Sequence, residues 1–249
     1  MSEQPFPVYQ SFFLVGIKGV AMTSLAQILV DMGKDVAGCD VAENFVTQDQ
    51  LDTLGITILT GFEHEIPETI DCVVYTAAHK GAKNPLVMQA AEKGIPIYSQ
   101  AEALGQVYNS KKGIAVCGVG GKSTTSAMLT WILTKLDLDP SFSVGVGEII
   151  GLPRTGVWNA GSKYFVAEAD EYVTNPEEVK AGAKPEPRFS YLQPFCTVCT
   201  NLAFDHPDVY KDFAETKEAY TAFFNQIKPG GVLIINEKDV PEVDSHSAA

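Results

Sequence analysis

Apolar residues fall in short β-rich runs that alternate with stretches of helical period along most of the chain. Runs at 11–15, 35–38, 57–59, 72–76 and 95–98 form one predicted set of strands. Runs at 114–117, 142–144, 164–168, 197–200 and 232–235 form a second. Between the first two strands, Ala21, Met22, Leu25, Ile28, Leu29 and Met32 recur at helical spacing and predict a helix with one apolar stripe. Residues 125–136 predict another in the same way, with Met128, Leu129, Ile132 and Leu136 as the stripe. Strand and helix in alternation predict an α/β protein whose parallel sheets carry helices on both faces. The polar stretch 108–113 reads as a linker. It divides a Rossmann-like parallel-sheet domain at 1–109 from a P-loop α/β domain at 112–249. Segments 153–161 and 177–188 read as longer loops, the latter rich in Pro, Gly, Lys and Glu.

Candidate chemistry gathers where strands of the second set end. Cys117-Gly-Val-Gly-Gly-Lys-Ser-Thr-Thr125 is a glycine turn between a strand and a helix start. Backbone N–H groups at a helix N-terminus attract phosphate, and glycines let the chain wrap it closely. Gly118, Gly120 and Gly121 form that cradle. Lys122 adds a point charge for the outer phosphates, and Ser123, followed by Thr124, a hydroxyl suited to Mg²⁺. The loop is shorter than the general P-loop, whose first glycine would fall on Val116. A nucleoside triphosphate is the expected ligand. The run at 164–168 ends in Glu168, Asp170 and Glu171, which are either carboxylates delivered to a strand end or a solvated loop. Thr200-Asn201 and Asp205-His206-Pro-Asp208 follow the next strand and set an acid beside a histidine. Three strands of one domain thus end in groups suited to phosphate or metal, and open α/β sheets bind ligands at such ends.

The first domain has its own turn, Gly16-Ile17-Lys18-Gly19-Val20-Ala21, which is GxxGxxA and not the dinucleotide pattern GxGxxG. Asp40 ends the second strand, where an acid would meet a ribose hydroxyl. Either the glycines permit tight strand–helix packing, or the turn receives a nucleotide diphosphate other than NAD.

Net charge changes the picture by exclusion. At −13, with a pI of about 4.7, the chain is unsuited to general binding of nucleic acid or anionic membrane. No apolar run approaches the ~20 residues that span a bilayer. The first residues lack a basic start and an apolar core, so a cytoplasmic location is expected. The five cysteines lie mostly in apolar strand-like runs and read as small buried hydrophobes, not a disulfide framework. Cys196 and Cys199 have metal spacing but no second pair.

Taken together, these motifs resemble the Mur ligases, ATP-dependent ligases of peptidoglycan precursor synthesis. Gly118–Thr125 is similar to that family's short P-loop, 168–172 to its acidic motif and 200–206 to its Asp-His motif. The turn from Gly16 to Met22, Tyr75-Thr-Ala-Ala78 and Asn84-Pro85 resemble its UDP-binding segments. The resemblance implies that L-alanine is joined to the carboxylate of UDP-N-acetylmuramate through an acyl phosphate, with ATP and Mg²⁺. A tripeptide as the amine substrate, or a non-catalytic nucleotide- or UDP-sugar-binding module, are the alternatives. By resemblance, Lys122, Glu168 and His206 are the catalytic residues, and Ser123, Glu168 and His206 the metal ligands. Gly118, Gly120, Gly121, Lys122, Ser123 and Thr124 would hold ATP. Gly16, Ile17, Gly19, Val20, Asp40, Thr76, Ala77 and Ala78 would line the UDP-sugar site. Val119 and Gly120 stand where the family carries polar side chains, which leaves the backbone cradle but removes side-chain contacts. The family's third, amino-acid-binding domain is expected to be missing, so these 249 residues should bind UDP-sugar without ligating alone.

Overall fold

The computed structural model describes residues 9–243. The first sheet consists of β1 (Ser11–Val15), β2 (Asp35–Asp40), β3 (Thr57–Thr60), β4 (Cys72–Tyr75) and β5 (Ile97–Ser99), all parallel, in the order β3-β2-β1-β4-β5. Helices α1 (Val20–Asp31), α2 (Gln48–Leu54), α3 (Pro85–Glu92) and α4 (Gln100–Tyr108) accompany it. Central strands β1 and β4 are buried almost throughout, which is why they read as continuous apolar runs. A reciprocal capping box between Ser99 and Glu102 starts α4 directly at the end of β5.

The second sheet contains β6 (Lys112–Cys117), β7 (Ser141–Ser143), β8 (Gly156–Val157), β9 (Tyr164–Glu168), β10 (Cys196–Cys199) and β11 (Val232–Ile235). Their order is β11-β10-β6-β9-β7-β8, parallel except for β8. Helices α5 (Lys122–Lys135), α6 (Pro176–Lys180) and α7 (Phe213–Phe224) complete this half. Both halves are therefore α/β with parallel sheets, as the alternation of periods predicted. All five cysteines are free and lie in strands, four of them buried.

The expected linker is instead structured. Tyr108 closes α4 fully buried, with its ring over Gly113 where a Cβ would meet ring atoms at 2.2–2.4 Å. Lys112 already pairs with Tyr164 in the sheet, leaving only 109–111 between α4 and β6. Asn109 pins that turn, donating to Tyr191 O at 2.9 Å and accepting from Gln193 N at 2.7 Å. Strand limits also shift where ladder partners, not side chains, decide them. The strands expected at 95–98, 142–144 and 197–200 are observed at Ile97–Ser99, Ser141–Ser143 and Cys196–Cys199. The loops expected at 153–161 and 177–188 contain β8 and most of α6.

Of the stripe predicted for α5, Met128, Ile132 and Leu136 face outward, 60%, 44% and 62% exposed, whereas Leu129 packs against the second sheet's core. The inward face carries Ser126 and Thr130, both fully buried. Lys122 and Ser123 must face the acids of the second sheet, and 126 and 130 follow Lys122 at i+4 and i+8 on that same side. The anchoring of the glycine loop sets a helix phase that leaves three of the four stripe residues outside.

Helix α1 is buried on two sides. Leu25, Ile28 and Leu29 meet the first sheet's core, while Thr23, Ser24 and Gln27 are also fully buried. Gln27 Oε1 accepts from the N–H groups of Thr155 (3.2 Å) and Gly156 (2.6 Å). Asp31 forms a bidentate pair with Arg154 at 2.8 and 3.1 Å. A Cβ on Gly156 would come within 2.1 Å of Ser24 O. The helix that leaves the first glycine turn is thereby fixed to the edge of the second sheet.

Candidate functional site

The P-loop begins where β6 ends. Gly118 has φ +121°, and a Cβ there would lie 2.2 Å from Thr200 Oγ1. Gly121 has φ +82° and caps α5 from the left-handed region. Only glycine adopts these two conformations without strain. Thr200 Oγ1 donates to Gly120 O at 2.6 Å, and Gly120 N–H donates to Asn201 Oδ1 at 3.0 Å. The neighbouring strand end therefore clamps the loop from the side, a supporting role for Thr200 and Asn201 that the sequence reading missed.

Lys122 and Ser123, at the start of α5, point to the acids that follow β9. Ser123 Oγ donates to Glu168 Oε1 at 2.9 Å, and Gly145 N–H holds Oε2 at 3.0 Å. Lys122 Nζ lies 2.8 and 3.0 Å from the two carboxylate oxygens of Glu171. That carboxylate is 1% exposed and Lys122 14%, so the pair is shielded from solvent. His206 has φ 57° and brings Nε2 to 3.4 Å from Glu171 Oε1 and 3.8 Å from Asp205 Oδ2. The Tyr172 ring packs edge-on against its imidazole at 5.0 Å. Of the residues singled out separately in the sequence, Lys122 and His206 thus meet at Glu171, and Ser123, the next residue along α5, meets Glu168. Thr124 is exposed and lies with Ser123 on the wall of an adjoining apolar cavity.

Glu171, Asp205 and His206 each offer a ligand atom within 4.8 Å of the others, a carboxylate-and-imidazole set able to hold a divalent ion. Ser123 and Glu168 offer a second, oxygen-only pair suited to magnesium. The rim thus sets backbone amides and one lysine beside two groups of cation-ligand donors, a combination chemically suited to phosphate oxygens.

In the first half, Gly16 has φ +85°, and a Cβ there would sit 2.3 Å from Thr76 Cγ2. Gly19, Val20, Thr76 and Ala77 line a cavity of about 180 Å³ together with Thr174 and Arg188 of the second half. An adjoining cavity of about 140 Å³ holds Val20, Gly145, Glu168, Asp170 and again Arg188. The two join the first glycine turn to the acidic rim. Arg188, which the sequence reading did not single out, donates to Asp170 Oδ2 at 2.7 Å and lies over the Tyr172 ring. Other residues of the expected set do not reach these walls. Ile17 is buried in the core and Ala78 is exposed. Asp40 is buried and accepts from the amides of Lys18 (2.7 Å) and Val41 (2.8 Å), with His79 Nε2 at 3.4 Å. Its carboxylate orders the turn instead of standing free. Lys18 Nζ reinforces this by donating to Val41 O and Glu43 O.

Residues 12–112 match the model of the Mur ligase family, catalytic domain, and residues 116–248 that of the Mur ligase middle domain. A UDP-N-acetylmuramate–L-alanine ligase of Carboxydothermus hydrogenoformans is 36% identical over 218 residues, covering 87% of this chain and 43% of that protein. The crystal structure of a UDP-N-acetylmuramate:L-alanyl-gamma-D-glutamyl-meso-diaminopimelate ligase from Neisseria meningitides is similar, with a TM-score of 0.79 and 27% identity. It covers 93% of this chain and 72% of that one. A Thermotoga maritima UDP-N-acetylmuramate-alanine ligase shares the fold, with a TM-score of 0.77 at 24% identity over 95% of this chain and 51% of that one. The chain spans less than half the length of the curated relatives it matches. Two family models that between them match nearly the whole chain, on a fold shared with solved ligases, establish that the chain belongs to the Mur ligase family.

Proposed function

We propose that this chain is the UDP-sugar- and ATP-binding part of an ATP-dependent ligase that joins L-alanine to the carboxylate of UDP-N-acetylmuramate. The observation that carries this reading is the convergence of Lys122, Ser123, Glu168, Glu171 and His206 on one rim, continuous with the Arg188-lined cavities that lead to the first glycine turn. The UDP-sugar lies along Gly19, Val20, Thr76 and Ala77, with Arg188 drawing its anionic end toward Glu168. The P-loop amides and Lys122 hold the triphosphate, and Lys122 exchanges Glu171 for phosphate oxygen as ATP enters. A substrate carboxylate oxygen attacks the γ-phosphorus, ADP leaves, and an acyl phosphate forms. The alanine nitrogen then attacks the acyl carbon, and phosphate departs from the tetrahedral intermediate. Mg²⁺, for which Ser123 with Glu168, and His206 with Glu171 and Asp205, have suitable donors, would neutralise the charges that otherwise repel.

A second reading, in which the amine belongs to a tripeptide, is supported by the likeness to the Neisseria ligase. It shares the same first half-reaction and the same residues. Calorimetric titrations with UDP-N-acetylmuramate and with Mg-ATP test the proposal. Both should bind, and Lys122→Ala should weaken only Mg-ATP, removing the part of its binding that depends on the loop. A Mg-ATP affinity unmoved by this change would remove the loop from the proposal. A panel of amines offered to the longer protein separates alanine from tripeptide. Alanine-dependent phosphate release by these 249 residues alone would refute the reading that they are an incomplete catalyst.

A further inference from the structure

A cavity of about 840 Å³ opens at the end of the second sheet opposite the P-loop. Lys34 precedes β2, Lys111 and Lys112 enter β6, Lys163 precedes β9, and Lys228 lies between α7 and β11. All five therefore sit where strands begin, whereas the ligase rim sits where they end. Among the described residues no aspartate or glutamate lines the cavity, although acids outnumber Lys plus Arg by 31 to 18 in the chain. Among the described residues, none of the five lysines is paired with a carboxylate.

Three of these ammonium groups are held in place by main-chain carbonyls. Lys111 Nζ donates to Asn159 O at 2.8 Å and Ser162 O at 2.7 Å. Lys34 Nζ donates to Tyr9 O at 2.8 Å, and Lys228 Nζ to Asn109 O at 3.3 Å. Partial burial lowers the pKa of Lys111, so its charge is held against a desolvation cost that a nearby anion would relieve. Lys112 and Lys163 are exposed at the mouth. The walls are also aromatic: Lys111 Nζ lies 4.1 Å from the Trp158 ring and Lys112 Nζ 4.6 Å from Phe195. Among the described residues, like charges converge here with carbonyl acceptors but no carboxylate partner, in a cavity of a size that holds small ligands.

From this we propose a second anion site, separate from the ligase rim, for a small molecule carrying two or more linked phosphoryl groups. The five ammonium groups match several dispersed negative charges better than a single carboxylate. The anion has two possible sources, a free polyphosphate or a nucleotide whose base also uses the aromatic walls. Lys34 belongs to the first half of the chain and the other four lysines to the second, so an anion there touches both halves.

The test uses the 249-residue chain with Lys122→Ala to silence the P-loop and Trp131→Phe to leave Trp158 as the sole tryptophan. Inorganic tripolyphosphate and metal-free ATP are titrated at low salt, read by calorimetry and Trp158 fluorescence. Saturable binding that changes Trp158 emission and weakens with added salt is expected. Adding Lys112→Glu and Lys163→Glu should weaken it at least about tenfold, with melting temperature little changed, because both side chains are exposed, neither makes a hydrogen bond among the described residues, and only the Lys112 contact with the Phe195 ring is lost. Tighter binding of ATP than of tripolyphosphate identifies a nucleotide as the source, and equal binding a free polyphosphate. The absence of heat and of emission change up to about 10 mM anion, weaker than any useful affinity, would overturn the proposal. So would an affinity unmoved by the two glutamates. With Lys122 restored, the two glutamates should leave the Lys122-dependent binding of Mg-ATP intact, which separates this site from the ligase rim.

Discussion

Lys122→Ala should leave a buried carboxylate without its cation. Glu171 is 1% exposed and takes both its short contacts from Lys122, at 2.8 and 3.0 Å. Removing one partner of a buried pair costs about 3–5 kcal/mol, because the remaining charge stays out of water with nothing to compensate it. Urea unfolding at pH 7 reads the effect, which corresponds to roughly 6–20 °C in melting temperature for a chain of this size. Adding Glu171→Gln removes the stranded charge and should recover most of the loss, leaving the smaller cost of a buried amide, about 1–3 kcal/mol. A deficit below about 1 kcal/mol for Lys122→Ala, or one that Glu171→Gln does not reduce, would refute the electrostatic account of this rim.

Gly118→Ala should destabilise by about 2–4 kcal/mol through its left-handed backbone and the contact with Thr200, whereas Gly120→Ala, which meets only Asn201 Nδ2 at 3.5 Å, should stay within about 1 kcal/mol; thermal melts compare the two. Gln27→Ala leaves the buried N–H groups of Thr155 and Gly156 without their acceptor, which should cost about 2 kcal/mol or more and speed proteolytic cleavage near β8. Burial pushes the thiols of Cys39 and Cys72 up to about 12, so neither should react with a thiol reagent in the native protein at pH 8, and both should react once urea unfolds it.

Much of this protein is legible without coordinates because its signals are local. A buried parallel strand must be apolar along its length, so β1, β4, β6 and β9 announce themselves in the chain. Glycines that carry a positive φ beside a helix start mark both turns, since few other residues tolerate that backbone. The lysine, hydroxyl, acids and histidine of the rim are recognisable for the same reason: their chemistry is written in residue type and in their position after a strand.

What pairs with what is not local. The acid that holds Lys122 is Glu171 and not Glu168, and that choice follows from the direction each side chain takes beyond β9. Arg188 joins the site only because the segment after α6 returns across the acidic rim, as the bridge between Val173 and Pro187 records. The sequence by itself determined the fold class, the two glycine turns and the residue types of the rim. Tertiary structure decided that α1 is buried on both sides, that α5 turns Met128, Ile132 and Leu136 of its apolar stripe outward, and that five lysines share one cavity. Hydrophobic period reports how one element divides between core and water, and says nothing of a second surface that packs against it or of an anchor that fixes its rotation.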